Sequence, residues 1–146
     1  MKLNDIKDIA IVGSGVIGYS WALSFAMNGH PVHVYDINDE SLKLAKERIH
    51  ESLLNLAQNK VINPNKIEKI EKRIDYSTSI EKTVKNSKFI VESGPEKYEI
   101  KWSIVEEIEK FAPEDAIVAS STSGLLITEI AKNAKHPERF IGAHPY

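Results

Sequence analysis

The feature that most constrains the fold is an apolar run that ends in three regularly spaced glycines, the segment "DIAIVGSGVIG" at positions 8–18. Its first part is continuous and apolar, which is typical of a strand buried on both faces of a parallel sheet. The residues that follow repeat apolar side chains every four positions, at Ile17, Trp21 and Phe25, and this period indicates a helix. A strand, a glycine turn and a helix in this order predict the first unit of an α/β fold.

The rest of the chain continues this alternation. Short β-branched and apolar runs indicate further strands at positions 31–36, 73–77, 88–93, 116–120 and 140–144. Between them, apolar periodicity indicates helices at positions 39–59, 95–111 and 126–134, with shorter ones that begin near Pro64 and Thr78. The alternation predicts one domain over residues 1–146, with a doubly wound, mostly parallel sheet of the Rossmann type and a helical pair inserted after the second strand.

Two helices have apolar stripes that predict which face they bury. The stripe of the helix at 39–59 consists of Leu42, Ala45, Ile49, Leu53 and Leu56. The stripe of the helix at 95–111 consists of Ile100, Ile104, Ile108 and Phe111. Before the fourth strand, Thr78 and Glu81 have the spacing of a capping box, which predicts the start of a short helix.

The composition argues against several classes of function. The 146 residues are 42% hydrophobic and 27% charged, with a net charge of −2, so no basic surface for nucleic acid is expected. The chain has no cysteine, which removes disulfides, thiolate nucleophiles and cysteine metal sites, and we expect no metal centre. Apolar runs stay short of the ~18 residues that a membrane span needs, and no signal peptide fits before the first strand. We therefore expect a cytoplasmic protein.

The three glycines fit a loop that binds the phosphates of a dinucleotide. Gly13 permits the tight turn, Gly15 lets the backbone approach a pyrophosphate, and Gly18 lets the helix pack closely on the strand. Free N–H groups at the start of the helix would then face the phosphates. The residues between the glycines belong to the same predicted contact, and they are Ser14, Val16 and Ile17.

An acidic residue at the end of the second strand indicates which dinucleotide is bound. Asp36 follows Gly13 by 23 residues, where a carboxylate can accept from the 2′-hydroxyl of a ribose. The same charge would repel the 2′-phosphate of NADP, so NAD is the predicted cofactor. The alternative is a glycine turn without a ligand and a solvated turn aspartate, but the strand and the helix around the loop favour the first interpretation.

Polar groups follow the last two predicted strands, at the edge where ligands of such sheets bind. The segment "SSTSG" (120–124) follows the fifth strand, and His144 ends the sixth. A histidine can take up the proton of an alcohol that loses hydride, and Ser123 can hydrogen-bond the substrate oxygen. Taken alone, a loop that caps the next helix explains the serines equally well. On position alone, an ordinary strand-end histidine is the favoured interpretation of His144.

Four motifs, "GSGVIG", "VESGPEKYEIK", "ASSTSGL" and "HPERFIGAHPY", occur in this order. Together they resemble the NAD-binding domain of the L-3-hydroxyacyl-CoA dehydrogenase family over essentially the whole chain. The resemblance implies an oxidoreductase that transfers hydride between NAD and the 3-hydroxyl of an L-3-hydroxyacyl-CoA, in fatty acid or butanoate metabolism. It implies His144 as the catalytic base and Ser123 as a serine that touches both cofactor and substrate.

The resemblance also implies roles for residues that other signals leave unmarked. Glu96 and Lys101 match positions that line the nicotinamide side of the cofactor, although they could equally be an acid near a helix N-terminus and an exposed lysine. Ser52 in the helical insertion matches a serine that contacts CoA. The lysine expected nearby falls on Asn59, with Lys60 beside it.

Two departures from the family leave the substrate open. Members that act on hydroxyacyl-CoA usually have asparagine where this chain has Ser121, and two aromatic residues where it has Pro145 and Tyr146. The segments "SSTSGL" and "AHPY" resemble relatives that act on small hydroxy acids, such as carnitine or gulonate dehydrogenases. A non-catalytic NAD-binding structural protein, as in a lens crystallin of this family, is the alternative from another class.

The family also implies parts that residues 1–146 do not include. In the family, a glutamate that partners the histidine and an all-helical second domain follow, and that domain closes the substrate pocket and forms a dimer. We therefore expect the complete protein to be a homodimer that acts on a small molecule, with neither nucleic acid nor membrane as a partner. We expect residues 1–146 alone to bind NAD(H) but to turn over poorly or not at all.

Overall fold

The structure, a computed structural model, describes residues 6–145, which form a sheet of six parallel strands. The strands are β1 (Ile9–Val12), β2 (Val32–Tyr35), β3 (Ile74–Ser77), β4 (Phe89–Glu92), β5 (Ile117–Ser120) and β6 (Phe140–Gly142). Their order across the sheet is β3-β2-β1-β4-β5-β6, with parallel pairing throughout. Tyr146, which the sequence comparison with the family uses, lies outside the described residues.

Helices connect these strands. They are α1 (Val16–Met27), α2 (Asp39–Gln58), α3 (Ile67–Glu71), α4 (Ile80–Val84), α5 (Tyr98–Phe111) and α6 (Ile127–Ile130). Helices α2 and α3 both lie between β2 and β3, so they are the predicted helical pair. The doubly wound α/β sheet is confirmed. Within residues 6–145, none of the helices has both the length and the apolar character that crossing a membrane requires.

Strand β1 is buried along its whole length, as its continuous apolar run predicts, and β4 and β5 are buried after their first residues. In β1, Ile9 and Ile11 belong to one core, whereas Ala10 and Val12 belong to the other. The first core also contains apolar residues of α1, α2 and α3, and the second contains those of α4, α5 and α6. The sheet is therefore the middle of three layers, and its carboxyl edge is left uncovered for a site.

Helix α2 follows its predicted stripe, but helix α1 does not. In α2, four of the stripe residues are buried and only Leu56 is partly exposed. In α1 the buried residues are the small ones, Gly18, Ala22 and Ala26. Small side chains let the helix lie close to the sheet, and the rings of Trp21 and Phe25 stack at its flank with their centroids 5.4 Å apart.

Ile100, which the apolar stripe of α5 places in the core, is instead 37% exposed. The buried residues of this helix are Lys101, Val105 and Ile108. The predicted stripe is wrong at this end because Lys101 faces the interior of the protein, where its ammonium group pairs with the buried carboxylate of Glu92. Ile100 lines a cavity at the sheet edge together with Ile37.

Two helix ends differ from their sequence predictions. The N-cap of α4 is Ser79, whose Oγ accepts from the backbone N–H of Lys82 at 3.3 Å. The capping box at Thr78 and Glu81 is therefore wrong by one residue, because β3 runs to Ser77 and the chain needs Thr78 to turn. The helix predicted to end at 134 is regular only through α6, after which the chain turns.

We predict that Leu53→Ala lowers the free energy of unfolding by about 2–5 kcal/mol, because it leaves a cavity in the first core. Leu53 is fully buried there. Urea unfolding followed by circular dichroism measures the change. The control is Leu54→Ala, which removes the same atoms from the same helix where the side chain is 43% exposed. We expect about 0.5 kcal/mol or less for this control, and equal losses would contradict the packing described here.

Candidate functional site

All strands of this sheet point the same way, so the residues that follow them lie along one edge. The predicted residues that follow β1, β2, β4, β5 and β6 are, in that order, Gly13, Asp36, Glu96, Ser123 and His144. Two cavities open at this edge, one of about 390 Å³ around the glycine loop and one of about 340 Å³ around His144. Both are lined by Ser93 and Gly94, so the two cavities adjoin.

The glycine loop has the geometry that its spacing predicts. Gly13 has a φ of +105°, which favours glycine, and a Cβ there would lie 2.6 Å from the carbonyl oxygen of Ser93. A Cβ on Gly18 would lie 1.8 Å from the carbonyl oxygen of Gly13, so the first turn of α1 touches the end of β1. A Cβ on Gly15 would have no described atom within 4 Å, which leaves this surface open to a ligand.

The start of α1 supplies hydrogen-bond donors to this open surface. Its N-cap is Gly15, which has no side chain that could cap the helix. The first backbone bond into the helix runs from Tyr19 N–H to the carbonyl oxygen of Gly15, so the N–H groups of residues 16–18 have no acceptor within the helix. Their partial positive charge suits an anion, and the loop therefore fits the pyrophosphate of a dinucleotide.

Asp36 is held in place by the glycine loop. Its Oδ2 accepts from the backbone N–H of Ser14 at 3.0 Å and from the Ser14 hydroxyl at 2.7 Å, and its Oδ1 accepts from Asn38 N–H at 3.2 Å. A carboxylate has about four acceptor positions, so about one remains for a ribose hydroxyl. No pattern in the sequence indicates the contact between Ser14 and Asp36, which joins the loop to the predicted ribose site.

A third cavity, of about 560 Å³, also borders Asp36 and shares Gly13, Gly94 and Pro95 with the cavity of the glycine loop. Its walls include the apolar side chains of Ile37, Ile80, Pro95 and Ile100. Ile37 is 86% exposed, which is unusual for a large apolar residue. An apolar recess beside an acid and a glycine loop fits a flat apolar ring. None of its three isoleucines, Ile37, Ile80 and Ile100, was identified as a site residue from the sequence.

A buried ion pair between Lys101 and Glu92 lies at this edge. The sequence analysis identified Lys101 as a site residue but did not identify Glu92. The ammonium of Lys101, whose side chain is 1% exposed, donates to Oε1 and Oε2 of Glu92 at 2.9 and 2.8 Å. Glu92 is fully buried at the end of β4. Lys101 is thus not the exposed lysine of the alternative interpretation. The signal that could have identified Glu92 is an acid inside an apolar strand, since such a residue requires a partner.

Glu96 lies between this pair and the serine-rich loop. Its carboxylate accepts from the hydroxyl of Thr122 and from the backbone N–H groups of Ser123 and Gly124, at 3.3 and 3.4 Å for the latter two. Its Oε2 lies 3.6 Å from the Lys101 ammonium. Burial alone would raise the pKa of Glu96, but these hydrogen bonds and the charge of Lys101 hold its pKa below the ordinary value. The carboxylate is therefore ionised at neutral pH.

His144 contacts the same loop. Its Nδ1 lies 3.1 Å from the carbonyl oxygen of Ser121, and a carbonyl only accepts, so Nδ1 carries the proton in this contact. In the neutral ring, Nε2 then has the lone pair that a base needs. The Ser121 hydroxyl accepts from the indole N–H of Trp21 at 3.1 Å and lies 3.3 Å from the Ser93 hydroxyl.

The structure brings together all but one of the predicted site residues. Ser123 is exposed and lines the same cavity as Glu96, Lys101 and His144. Ser52 lies on α2, where its hydroxyl donates to the carbonyl oxygen of Arg48 at 2.7 Å within the helix. It does not line the cavities at the sheet edge.

Comparison with known proteins supports a dehydrogenase relationship. Residues 8–146 match the family model described as 3-hydroxyacyl-CoA dehydrogenase, NAD binding domain. The L-carnitine dehydrogenase of Oceanobacillus iheyensis is 36% identical over 97% of this chain, and the match covers 45% of that protein. The chain thus spans less than half the length of this relative.

Solved structures agree with this relationship. The (S)-3-hydroxybutyryl-CoA dehydrogenase of Ralstonia eutropha superposes with a TM-score of 0.92 at 30% identity, over 97% of this chain and 50% of that one. The 3-hydroxybutyryl-CoA dehydrogenase of Escherichia coli K12 superposes with a TM-score of 0.91 at 29% identity, over 97% of this chain and 30% of that one. The chain belongs to the 3-hydroxyacyl-CoA dehydrogenase family, of which it is an NAD-binding domain.

Proposed function

We propose that the protein to which this chain belongs transfers hydride between NAD and the 3-hydroxyl of an L-3-hydroxyacyl-CoA. The observation that carries the proposal is the pair of adjoining cavities at one sheet edge. One is lined by the glycine loop and Asp36, which fit a dinucleotide. The other is lined by His144, Ser123 and the ionised Glu96. The printed names of the structural relatives, two 3-hydroxybutyryl-CoA dehydrogenases, support the same substrate class.

The dinucleotide would be held by residues along the first two strand ends. The N–H groups that follow Gly15 bind the pyrophosphate, and Asp36 accepts from the adenosine ribose. The recess at Ile37 and Ile100 takes the adenine ring. When bound, NAD supplies the hydride acceptor and its reduced form the hydride donor. Glu96 and Lys101 then border the nicotinamide end, because both line the cavity shared with His144.

His144 acts as the general base of the oxidation. Its Nδ1–H is directed to the Ser121 carbonyl, which holds the ring, and Nε2 would receive the hydroxyl proton as hydride departs. Ser123, exposed in the same cavity, donates a hydrogen bond to the substrate oxygen and holds it in line. In the reverse direction, the imidazolium returns the proton to the carbonyl oxygen.

A specific observation favours a second candidate, a dehydrogenase of small hydroxy acids such as carnitine. Curated relatives at 36% identity are named L-carnitine dehydrogenase. Ser121 stands where acyl-CoA members usually have asparagine, and its hydroxyl already bonds Trp21. Ser52, proposed to contact CoA, has its hydroxyl bonded within its own helix. These contacts support a smaller substrate, while the cofactor and the acid–base residues stay the same.

The remaining parts of the proposal concern the complete protein. A second, helical domain would follow this one, close the cavity at His144 and form a homodimer. Its glutamate would accept from His144 and stabilise the charged imidazolium. A cytoplasmic location fits a chain without cysteine.

We predict that His144→Ala in the complete protein lowers kcat by about 10²–10⁴-fold, the usual contribution of a positioned base. The formation of NADH at 340 nm measures the rate. The affinity for NADH should stay the same, because the histidine acts on the substrate. His136→Ala is the matched control, since this partly exposed histidine lies before β6, at the opposite edge of the sheet. Full activity of His144→Ala would favour the structural, non-catalytic alternative.

We predict that Asp36→Ala weakens NAD binding about ten-fold and reduces the preference for NAD over NADP, because a charge-assisted hydrogen bond and a repulsive charge are both lost. Calorimetric titrations of the chain with NAD⁺ and NADP⁺ measure both affinities. The control is Asp39→Ala, which removes an exposed carboxylate from the first turn of α2. Equal affinities for the two cofactors in the unmodified chain would contradict the assignment of Asp36.

The substrate class is tested by assaying the complete protein with acetoacetyl-CoA and NADH, and separately with carnitine or gulonate and NAD⁺. We expect turnover of the acyl-CoA, and we expect Ser52→Ala to raise its KM while leaving kcat unchanged. Turnover of carnitine alone would overturn the first substrate proposal in favour of the second. The absence of any turnover together with tight NADH binding would favour the structural alternative.

A further inference from the structure

We propose that Glu92 is a positioning residue that fixes the nicotinamide end of the cofactor site through Lys101. This inference rests on the proposed function, because it concerns the cavity that contains His144. Glu92 is fully buried and does not itself line that cavity, but its carboxylate bonds Gly94 and Lys101, which do. It therefore acts through its neighbours and not by touching a ligand.

Glu92 joins three segments of the chain. Its Oε1 accepts from Gly94 N–H at 2.7 Å, in the turn after β4, and from Lys101 on α5. Its Oε2 accepts from Lys101 and, at 2.6 Å, from the hydroxyl of Ser120 at the end of β5. The buried carboxylate thus accepts four hydrogen bonds from three donor groups, which fills its roughly four acceptor positions. A side chain so fully bonded has one orientation, and so have the segments bonded to it.

Lys101 uses its own hydrogen-bonding capacity in the same way. An ammonium has three N–H donors, and here three acceptors surround it: the two oxygens of Glu92 and the carbonyl oxygen of Gly94 at 3.2 Å. Its charge, 3.6 Å from Oε2 of Glu96, then acts on that carboxylate by electrostatic attraction. Lys101 therefore serves the cavity as a fixed positive charge held by Glu92.

The chain of contacts ends at the residues that face a ligand. Glu96, drawn toward Lys101, accepts from Thr122, Ser123 and Gly124 and so fixes the loop after β5. The same loop presents Ser123 to the cavity and contacts His144 through the Ser121 carbonyl. A displacement of Glu92 is thereby transmitted to Glu96 and to the loop.

Stability alone does not account for such a pair. Removing two charges from water costs about as much free energy as their attraction returns, and apolar residues of similar volume often hold two elements equally well.

The domain contains a second buried ion pair whose acid is on the same helix. It joins Glu109 of α5 to Arg139 at 3.2 Å, and their side chains are 6% and 8% exposed. That pair joins α5 to the segment before β6, at the opposite edge of the sheet. It provides a control of matched chemistry.

The test compares two ligands that differ only at the nicotinamide end. The affinities of the chain for NADH and for ADP-ribose, which lacks nicotinamide, are measured by calorimetric titration. For Glu92→Gln we expect NADH to bind about ten-fold more weakly. ADP-ribose should change by less than about two-fold, as for a distant substitution. The nicotinamide fluorescence of bound NADH should also shift toward that of free NADH.

Several variants separate positioning from folding. In Glu109→Gln, the matched control, both ligands should keep their affinities. If Glu92→Gln does not fold, Glu92→Gln/Lys101→Met removes both charges without leaving one unpaired, and Ser120→Ala removes one bond to Glu92. Both should show the same selective loss of NADH affinity, smaller for Ser120→Ala. The outcomes distinguish this inference from the proposed function. An unchanged NADH affinity in the folded variants, or an equal loss of affinity for NADH and ADP-ribose, overturns the role of Glu92 and leaves the proposed function standing. Failure of the unmodified chain to bind either ligand contradicts the proposed function itself.

Discussion

The contact between the first turn of α1 and the end of β1 is the constraint on which the rest of the site depends. Because a Cβ on Gly18 would lie 1.8 Å from the carbonyl oxygen of Gly13, only glycine lets the helix start there. This closeness directs the helix N-terminus over the strand end and leaves open space at Gly15. A Cβ on Gly13 would likewise lie 2.6 Å from the carbonyl oxygen of Ser93, so the turn after β4 also borders the loop. A larger residue at either glycine would displace the donors that suit a phosphate.

The order of the strands explains why two cavities adjoin at this contact. From β1 the chain moves outward to β2 and β3, and then returns to place β4 on the other side of β1. Connections therefore leave β1 and β4 in opposite directions, and a crevice opens between the turns that follow them. Asp36 borders the crevice on the β2 side, and His144, two strands beyond β4, borders the other side. A ligand that spans the crevice would meet the glycine loop on one side and His144 on the other without any rearrangement of the sheet.

The sequence could predict much of this arrangement, because strand order and strand ends follow from local patterns. Short β-branched and apolar runs located all six strands, and the parallel topology then placed Asp36 and His144 at one edge. Contacts between residues distant in sequence could not be read in this way, such as the indole of Trp21 on the hydroxyl of Ser121, 100 positions away. Periodicity failed at Ile100 because it treats every lysine as exposed, whereas Lys101 is buried by its pairing with Glu92.

In the serine-rich loop (120–124), consecutive short polar residues each contact a different group of the candidate site. Considered alone, "SSTSG" could be a loop that only caps the next helix, yet its members have different partners across the sheet edge. Ser120 donates to Glu92, the Ser121 carbonyl contacts His144, and Thr122 donates to Glu96. Only Thr122 also serves the following turn, by accepting from Leu125 N–H at 2.9 Å. Glu92, Glu96 and His144 are therefore held before a ligand arrives, which reduces the entropy lost on binding. Short hydroxyl side chains suit this task because they have few rotamers and can both donate and accept.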